Sequence, residues 1–170
     1  MAGPFSPSEL PHRASPLFLR EPEIRRGIEL LYFGYSHLTR SADVVLEKHG
    51  LGRAHHRAMY FIARQPGLTV GELLRLLAIT KQSLGRVLND LMTRGLVTGA
   101  SGELDRRQKL LRLTSTGAAL ESELFECFRE GLSTAYGRAG QDAVTGFWRV
   151  LEGLIPIEDR ALALELSRKT

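Results

Sequence analysis

The stretch Thr80–Gly117, TKQSLGRVLNDLMTRGLVTGASGELDRRQKLLRLTSTG, decides the fold. Its first half places Leu84, Val87, Leu88 and Leu91 at i, i+3, i+4 and i+7, which is one apolar stripe of an amphipathic helix. Thr80 stands where an N-cap is wanted, and Gly95 is a natural C-terminal stop. The opposite face carries Lys81, Gln82, Gly85, Arg86 and Asn89. Leu96-Val97-Thr98 is too short for a helix before Gly99 and reads as a strand. Leu110–Leu113 reads as a second strand, so Gly99–Lys109 is expected to be the loop of a β-hairpin. Thr114 then caps a long helix expected to reach about Tyr136.

Just upstream, Thr69-Val70-Gly71-Glu72 has the Thr-x-x-Glu spacing of a capping box. It opens a short helix with Leu73, Leu74, Leu76 and Leu77 on its apolar side, and Ala78-Ile79 makes a tight connection to the next helix. Two short helices, a tight turn and a β-hairpin compose a winged helix-turn-helix. In such a module the second helix enters the major groove of DNA. Lys81 and Arg86 suit phosphates or guanine edges, and Gln82 and Asn89 suit adenine. Ser83 and the helix N-terminus beginning at Thr80 suit phosphate. Asp105-Arg106-Arg107 at the hairpin tip would by itself be a soluble charged turn. After a helix-turn-helix it reads as a wing, with an arginine for the minor groove and Asp105 to orient it.

Charge supports a polyanionic partner. The chain carries 23 basic and 19 acidic residues, net +4. Thr80–Leu113 alone holds seven basic residues (Lys81, Arg86, Arg94, Arg106, Arg107, Lys109, Arg112) against three acidic ones (Asp90, Glu103, Asp105), again +4. The excess therefore sits in the segment with the reading helix and the wing, and double-stranded DNA is the expected partner.

The order Thr69–Leu77, Thr80–Gly95, then Asp105-Arg106-Arg107 and Leu113-Thr114-x-x-Gly117 closely resembles the MarR family of bacterial transcriptional regulators. The resemblance covers roughly Ile24–Leu154. It implies a sequence-specific regulator, commonly a repressor, that works as a homodimer and responds to a small-molecule effector. It also implies that Arg107 is the minor-groove arginine, Asp105 its orienting partner and Thr80–Asn89 the reading surface. A winged helix used for protein contact, or a nonspecific architectural DNA binder, is the alternative; steep salt dependence would favour DNA.

The remaining chain frames this module. Residues 1–21 read as an irregular Pro-rich arm with Pro4, Pro7, Pro11 and Pro16, and Leu17-Phe18-Leu19 within it could dock on a partner. Pro22 opens a helix in which Ile24, Ile28, Leu31, Tyr35, Leu38, Ala42 and Val45 alternate by four and three, a heptad-like seam ended by Gly50 and Gly52. A helix over Ala54–Arg64 stops at Pro66-Gly67. Gly137 and Gly140 are expected to break the chain after the long helix, and Val144, Phe147, Trp148, Leu151 and Leu154 mark another one. Residues 157–170 suit a further short helix. The stripes fit packing within one chain or against a second copy; the family resemblance implies the second copy. The expected organisation is an arm over 1–21, a dimerisation helix over 22–52, a winged helix-turn-helix domain over 53–113 and C-terminal dimerisation helices over 114–170. The fold class is mainly α with a small β-hairpin wing.

Tyr32, Tyr35, His37, His55, His56 and Tyr60 mix ring surface with polar handles and are the candidates for contact with an effector. His55 and His56 are adjacent, so on a helix they point about 100° apart and suit no shared metal. No cofactor is implied. There is no Gly-rich phosphate loop, metal-ligand spacing or nucleophile elbow, so an enzyme is not expected. Cys127, the single cysteine, sits among Leu124, Phe125 and Phe128 and is expected to be a buried structural thiol. No apolar run approaches a membrane span and no signal peptide is legible, so a cytoplasmic protein is expected.

Overall fold

The computed structural model describes residues 15–101 and 108–161. The chain divides into two compact units with the boundary between His37 and Leu38. The wing tip with Asp105, Arg106 and Arg107, most of the arm and residues 162–170 lie outside the described residues.

In the first unit, Pro16–Leu19 form a short 3-10 turn, with Ser15 Oγ accepting from the Leu17 amide. The helix α1 (Glu21–Lys48) starts one residue before Pro22. On its stretch up to His37, Ile24, Ile28, Leu31 and Tyr35 of the seam are all exposed, as are Leu17, Phe18 and Leu19 before it.

The second unit takes up α1 from Leu38, where Ala42, Val45 and Leu46 are buried. Gly50 turns the chain with φ +62°, a conformation that favours glycine. The following elements are α2 (Arg53–Arg64), β1 (Leu68–Thr69), α3 (Val70–Leu77), α4 (Lys81–Thr93), β2 (Val97–Ser101), β3 (Lys109–Leu113), α5 (Ser115–Ala139) and α6 (Gln141–Leu154). Helix α2 is central and touches α3, α4, α5 and β3. Its Ala58, Met59 and Ile62 pack with Leu73, Leu84, Leu91, Leu111 and Leu124 in the core.

The capping box appears as its spacing predicts. Thr69 Oγ1 accepts from the Glu72 amide (3.2 Å), and Glu72 Oε2 accepts from the Thr69 amide (2.8 Å). Ala78 makes the tight connection in the left-handed region (φ 49°), which costs a non-glycine residue about 1–2 kcal/mol. Thr80 caps α4, its Oγ1 accepting from the Ser83 amide at 3.2 Å.

Three features differ from the sequence expectation. First, the sheet has three antiparallel strands in the order β1-β3-β2, where only a hairpin was expected. Strand β1 is two residues long, pairing Leu68 with Leu111 and Thr69 with Leu110. Nothing so short has a readable period; it exists because β3 offers its free edge. Second, β2 continues through Ser101, which pairs with Lys109, so Gly99–Ser101 are strand rather than loop. Third, Gly137 does not break the chain. It lies inside α5, and the break falls at Gly140 alone, with φ +82°.

The Leu113-Thr114-x-x-Gly117 motif has a steric basis. Thr114 Oγ1 donates to the Gly95 carbonyl (2.7 Å) and accepts from the Gly117 amide (3.0 Å). The Thr114 amide donates to the Leu96 carbonyl at 3.1 Å. A Cβ on Gly117 would lie 1.9 Å from that Leu96 oxygen, so only glycine lets the first turn of α5 lie against the α4–β2 junction.

Candidate nucleic-acid interface

Helix α4 is built with two faces. Leu84, Val87, Leu88 and Leu91 are buried, with Leu84 and Leu91 at 1% and 0% exposure. Thr80, Lys81, Gln82, Ser83, Gly85, Arg86 and Asn89 are all exposed. The expected reading residues therefore share the solvent side of one helix, and the buried stripe determines which side that is. Ser83 Oγ lies 2.9 Å from Thr80 Oγ1, so its hydroxyl is engaged in the cap as well as exposed.

Lys109 pairs with Ser101 in the β2–β3 ladder, and its Nζ approaches Met92 Sδ at 3.2 Å. Its stem passes over Gly99, where a Cβ would come within 2.2 Å of Lys109 Cε. Arg112 on β3 is exposed.

One polar network at the C-terminal end of α4 was not foreseen. Asp90 Oδ1 accepts from Arg94 Nε (2.7 Å), and Asp90 Oδ2 lies 3.1 Å from His55 Nε2 on α2. Arg94 reaches further, donating to the His49 carbonyl (2.8 Å) and the Gly50 carbonyl (3.3 Å) of the α1–α2 turn. The Arg94 hydrogen bond chiefly holds the Asp90 carboxyl below its usual range. An Asp-x-x-x-Arg spacing on a helix was the available signal; the share of His55 could not be read from sequence.

The six ring candidates separate. Tyr32, Tyr35 and His37 are exposed in the first unit. In the second unit, His55 Nδ1 accepts from the Gly52 amide (3.0 Å) while Nε2 faces Asp90, so both nitrogens are engaged. His56 points elsewhere: its ring stands 5.1 Å from that of Phe128 and 6.5 Å from that of Tyr60. His56 Nε2 is buried and has no hydrogen-bond partner among the described residues. Burial, then the nearby Arg57 charge, lowers the His56 pKa from its usual value, opposed by Asp43. Asp43 itself is paired with Arg53 (2.8 and 2.5 Å). Cys127 is half-buried rather than buried; its place on the flank of α5, at the border of the core, leaves part of it accessible.

A MarR-family model matches residues 49–108. The chain is 48% identical over 139 residues to the HTH-type transcriptional regulator PetP of Rhodobacter capsulatus, covering 82% of this chain and 84% of that one. The chain belongs to the MarR family. It is a helix-turn-helix transcriptional regulator. Among solved structures, a MarR mutant from E. coli in complex with operator DNA is similar in fold (TM-score 0.63, 22% identity, 84% of this chain and 100% of that one). So is MepR of S. aureus in complex with DNA (TM-score 0.61, 21% identity, 74% of this chain and 94% of that one). As in other members of the MarR family, the regulator's helices α3 and α4 and its three-stranded sheet form the winged helix-turn-helix. Among the described residues, no helix is long and apolar enough to cross a membrane.

Proposed function

We propose that this MarR-family regulator is a cytoplasmic, ligand-responsive repressor without enzymatic activity, and that it reads operator DNA as a homodimer. The observation that carries the proposal is the solvent face of α4, where Lys81, Gln82, Ser83, Arg86 and Asn89 stand together over a buried stripe. Gln82 and Asn89 read base edges, Lys81 and Arg86 hold phosphates or guanine, and Thr80 and Ser83 meet the backbone at the helix N-terminus. Arg107 enters the minor groove from the wing, with Asp105 orienting it and Arg106 beside it. A single module covers few base pairs, so two copies read two half-sites about one helical turn apart. Exposed Ile24, Ile28 and Leu31, and on α6 exposed Phe147, Trp148 and Leu154, supply the apolar surface for the second copy.

An effector shifts the population between a DNA-competent and a DNA-incompetent form through its differential affinity. Of the six ring residues, His56 and Tyr60 are favoured as contacts, because His56 keeps a buried nitrogen that has no partner among the described residues. His55 is engaged with Gly52 and Asp90. Tyr32, Tyr35 and His37 stay as candidates on the first unit.

The test is binding of the purified protein to DNA from upstream of its own gene, titrated with salt and with excess unrelated DNA. Tight binding that weakens steeply with salt and survives the competitor supports the proposal. Binding lost equally to any DNA points to a nonspecific architectural role. No binding at low salt overturns the proposal and favours a protein-contact module. Arg107→Ala is expected to weaken operator binding with the dimer intact.

A further inference from the structure

The network at the end of α4 does more than neutralise a charge. Asp90 receives Arg94 from its own helix end and His55 from α2, while Arg94 holds the two carbonyls of the α1–α2 turn. His55 is itself oriented: its Nδ1 accepts from the Gly52 amide, so Nε2 carries the proton that faces Asp90. Gly50, whose φ of +62° favours glycine, carries one of the two carbonyls that Arg94 holds. At about 100° per residue, Asp90 projects between Ser83 and Arg86, on the flank of the polar face and about 60° from Val87 of the buried stripe. The stripe attracts α4 to the core without regard to direction. The bonds of the network are directional: Asp90 joins the helix to α2 through His55, and Arg94 joins it to the α1–α2 turn.

The geometry points to Asp90 as a positioning residue for sequence reading, which holds the rotation of α4 through His55 and Arg94. This inference rests on the reading of α4 as the DNA helix. Its consequence follows from lever arms. Side chains end about 5–6 Å from a helix axis, so a rotation of about 10° displaces a reading atom by about 1 Å. Bidentate bonds from Gln82 or Asn89 to a base do not survive such a shift, since hydrogen bonds weaken steeply away from their preferred geometry. Phosphate contacts from the long stems of Lys81 and Arg86 adapt to it. Loss of the network is therefore expected to lower discrimination between sequences while leaving general affinity for DNA in place.

The test uses the full chain and two duplexes. One is recovered by selection from random sequence on the wild-type protein, and the other is the same duplex scrambled. Asp90→Ala is expected to lower the affinity ratio between them about tenfold, the size of one mismatched base pair. Affinity for the scrambled duplex and the salt slope should be undiminished. Asp90→Asn keeps an acceptor for Arg94 and should restore part of the ratio. His55→Ala should lower the ratio alone and add little on top of Asp90→Ala, because the two act through one bond. An unchanged ratio in these variants, even with a lower Tm, overturns the inference and leaves the network a support of the fold. If Asp90→Ala fails to fold, Asp90→Asn and His55→Ala decide the matter in the same way. A wild-type protein that selects no sequence overturns the reading of α4 itself, and this inference falls with it.

Discussion

Helices α4 and α6 are written with the same apolar period and meet different ends. In α4, Leu84, Val87, Leu88 and Leu91 are all buried beneath α2 and the sheet. In α6, Phe147, Trp148, Val150 and Leu154 are exposed and no residue is fully buried. Helix α6 packs against α5, where Trp148 Nε1 donates to Tyr136 Oη (3.1 Å) and the Tyr136 ring meets those of Phe147 and Trp148. A hydrophobic period reports that a helix has an apolar face. It does not report whether that face is covered by the same chain. The first is a local property of 3.6-residue spacing; the second depends on which elements the chain brings alongside.

The contrast can be broken by substitution. The largest effect is expected on α4. Leu91→Ala removes a fully buried side chain and should cost about 2–5 kcal/mol of stability, measured by urea unfolding. A loss below about 1 kcal/mol would mean that the α4 stripe is no better covered than that of α6. Next comes the junction after α4. Gly117→Ala drives a methyl group into the Leu96 carbonyl and should cost about 1–3 kcal/mol in the same assay. An unchanged protein would show that α5 does not lie against that junction.

On α6 the expected change appears in assembly instead. Trp148→Ala should weaken self-association about tenfold, seen as dissociation at higher protein concentration in sedimentation. Unfolding of the dissociated chain should change little, since Trp148 is half exposed there. If self-association is unaffected, the α6 face is not the one covered by a second copy.

The smallest effect concerns pH. Burial lowers the His56 pKa in the folded chain, so the neutral form is favoured there. Its contribution to stability is present above the ordinary histidine value of about 6.5 and is lost as pH falls below it, because the unfolded chain then binds the proton more readily. Unfolding below that value should take up at most about one proton more than it does in His56→Phe. Equal pH dependence of the two proteins would show that His56 titrates as it does in water.

Much of the winged module was legible from local rules. The Thr69 and Thr80 caps, the α4 stripe and the stop at Gly95 each depend on residues within about two helical turns of one another. The exposed polar face follows from that stripe. The seam of α1 was half legible. Its period is continuous from Ile24 to Val45, yet Ala42 and Val45 are buried while Ile24 and Ile28 are exposed.

The features missed share one physical cause, which is dependence on a distant partner. The two residues of β1 become a strand only because the edge of β3 is available to Leu68 and Thr69. His55 looked like one of two equivalent ring residues until α2 and α4 placed it against Asp90 and placed His56 against Phe128. Gly137 stays helical because nothing in the fold requires a turn there, whereas Gly140 takes the positive φ that starts α6. By itself the sequence determined the helices, their caps, the order of the winged module and the polar face of α4, all of which arise from contacts a few residues apart. Only the tertiary structure decided the third strand, the Asp90–His55–Arg94 network and which apolar faces the chain covers for itself. Each of those depends on groups that are far apart in sequence and adjacent only once the core has formed.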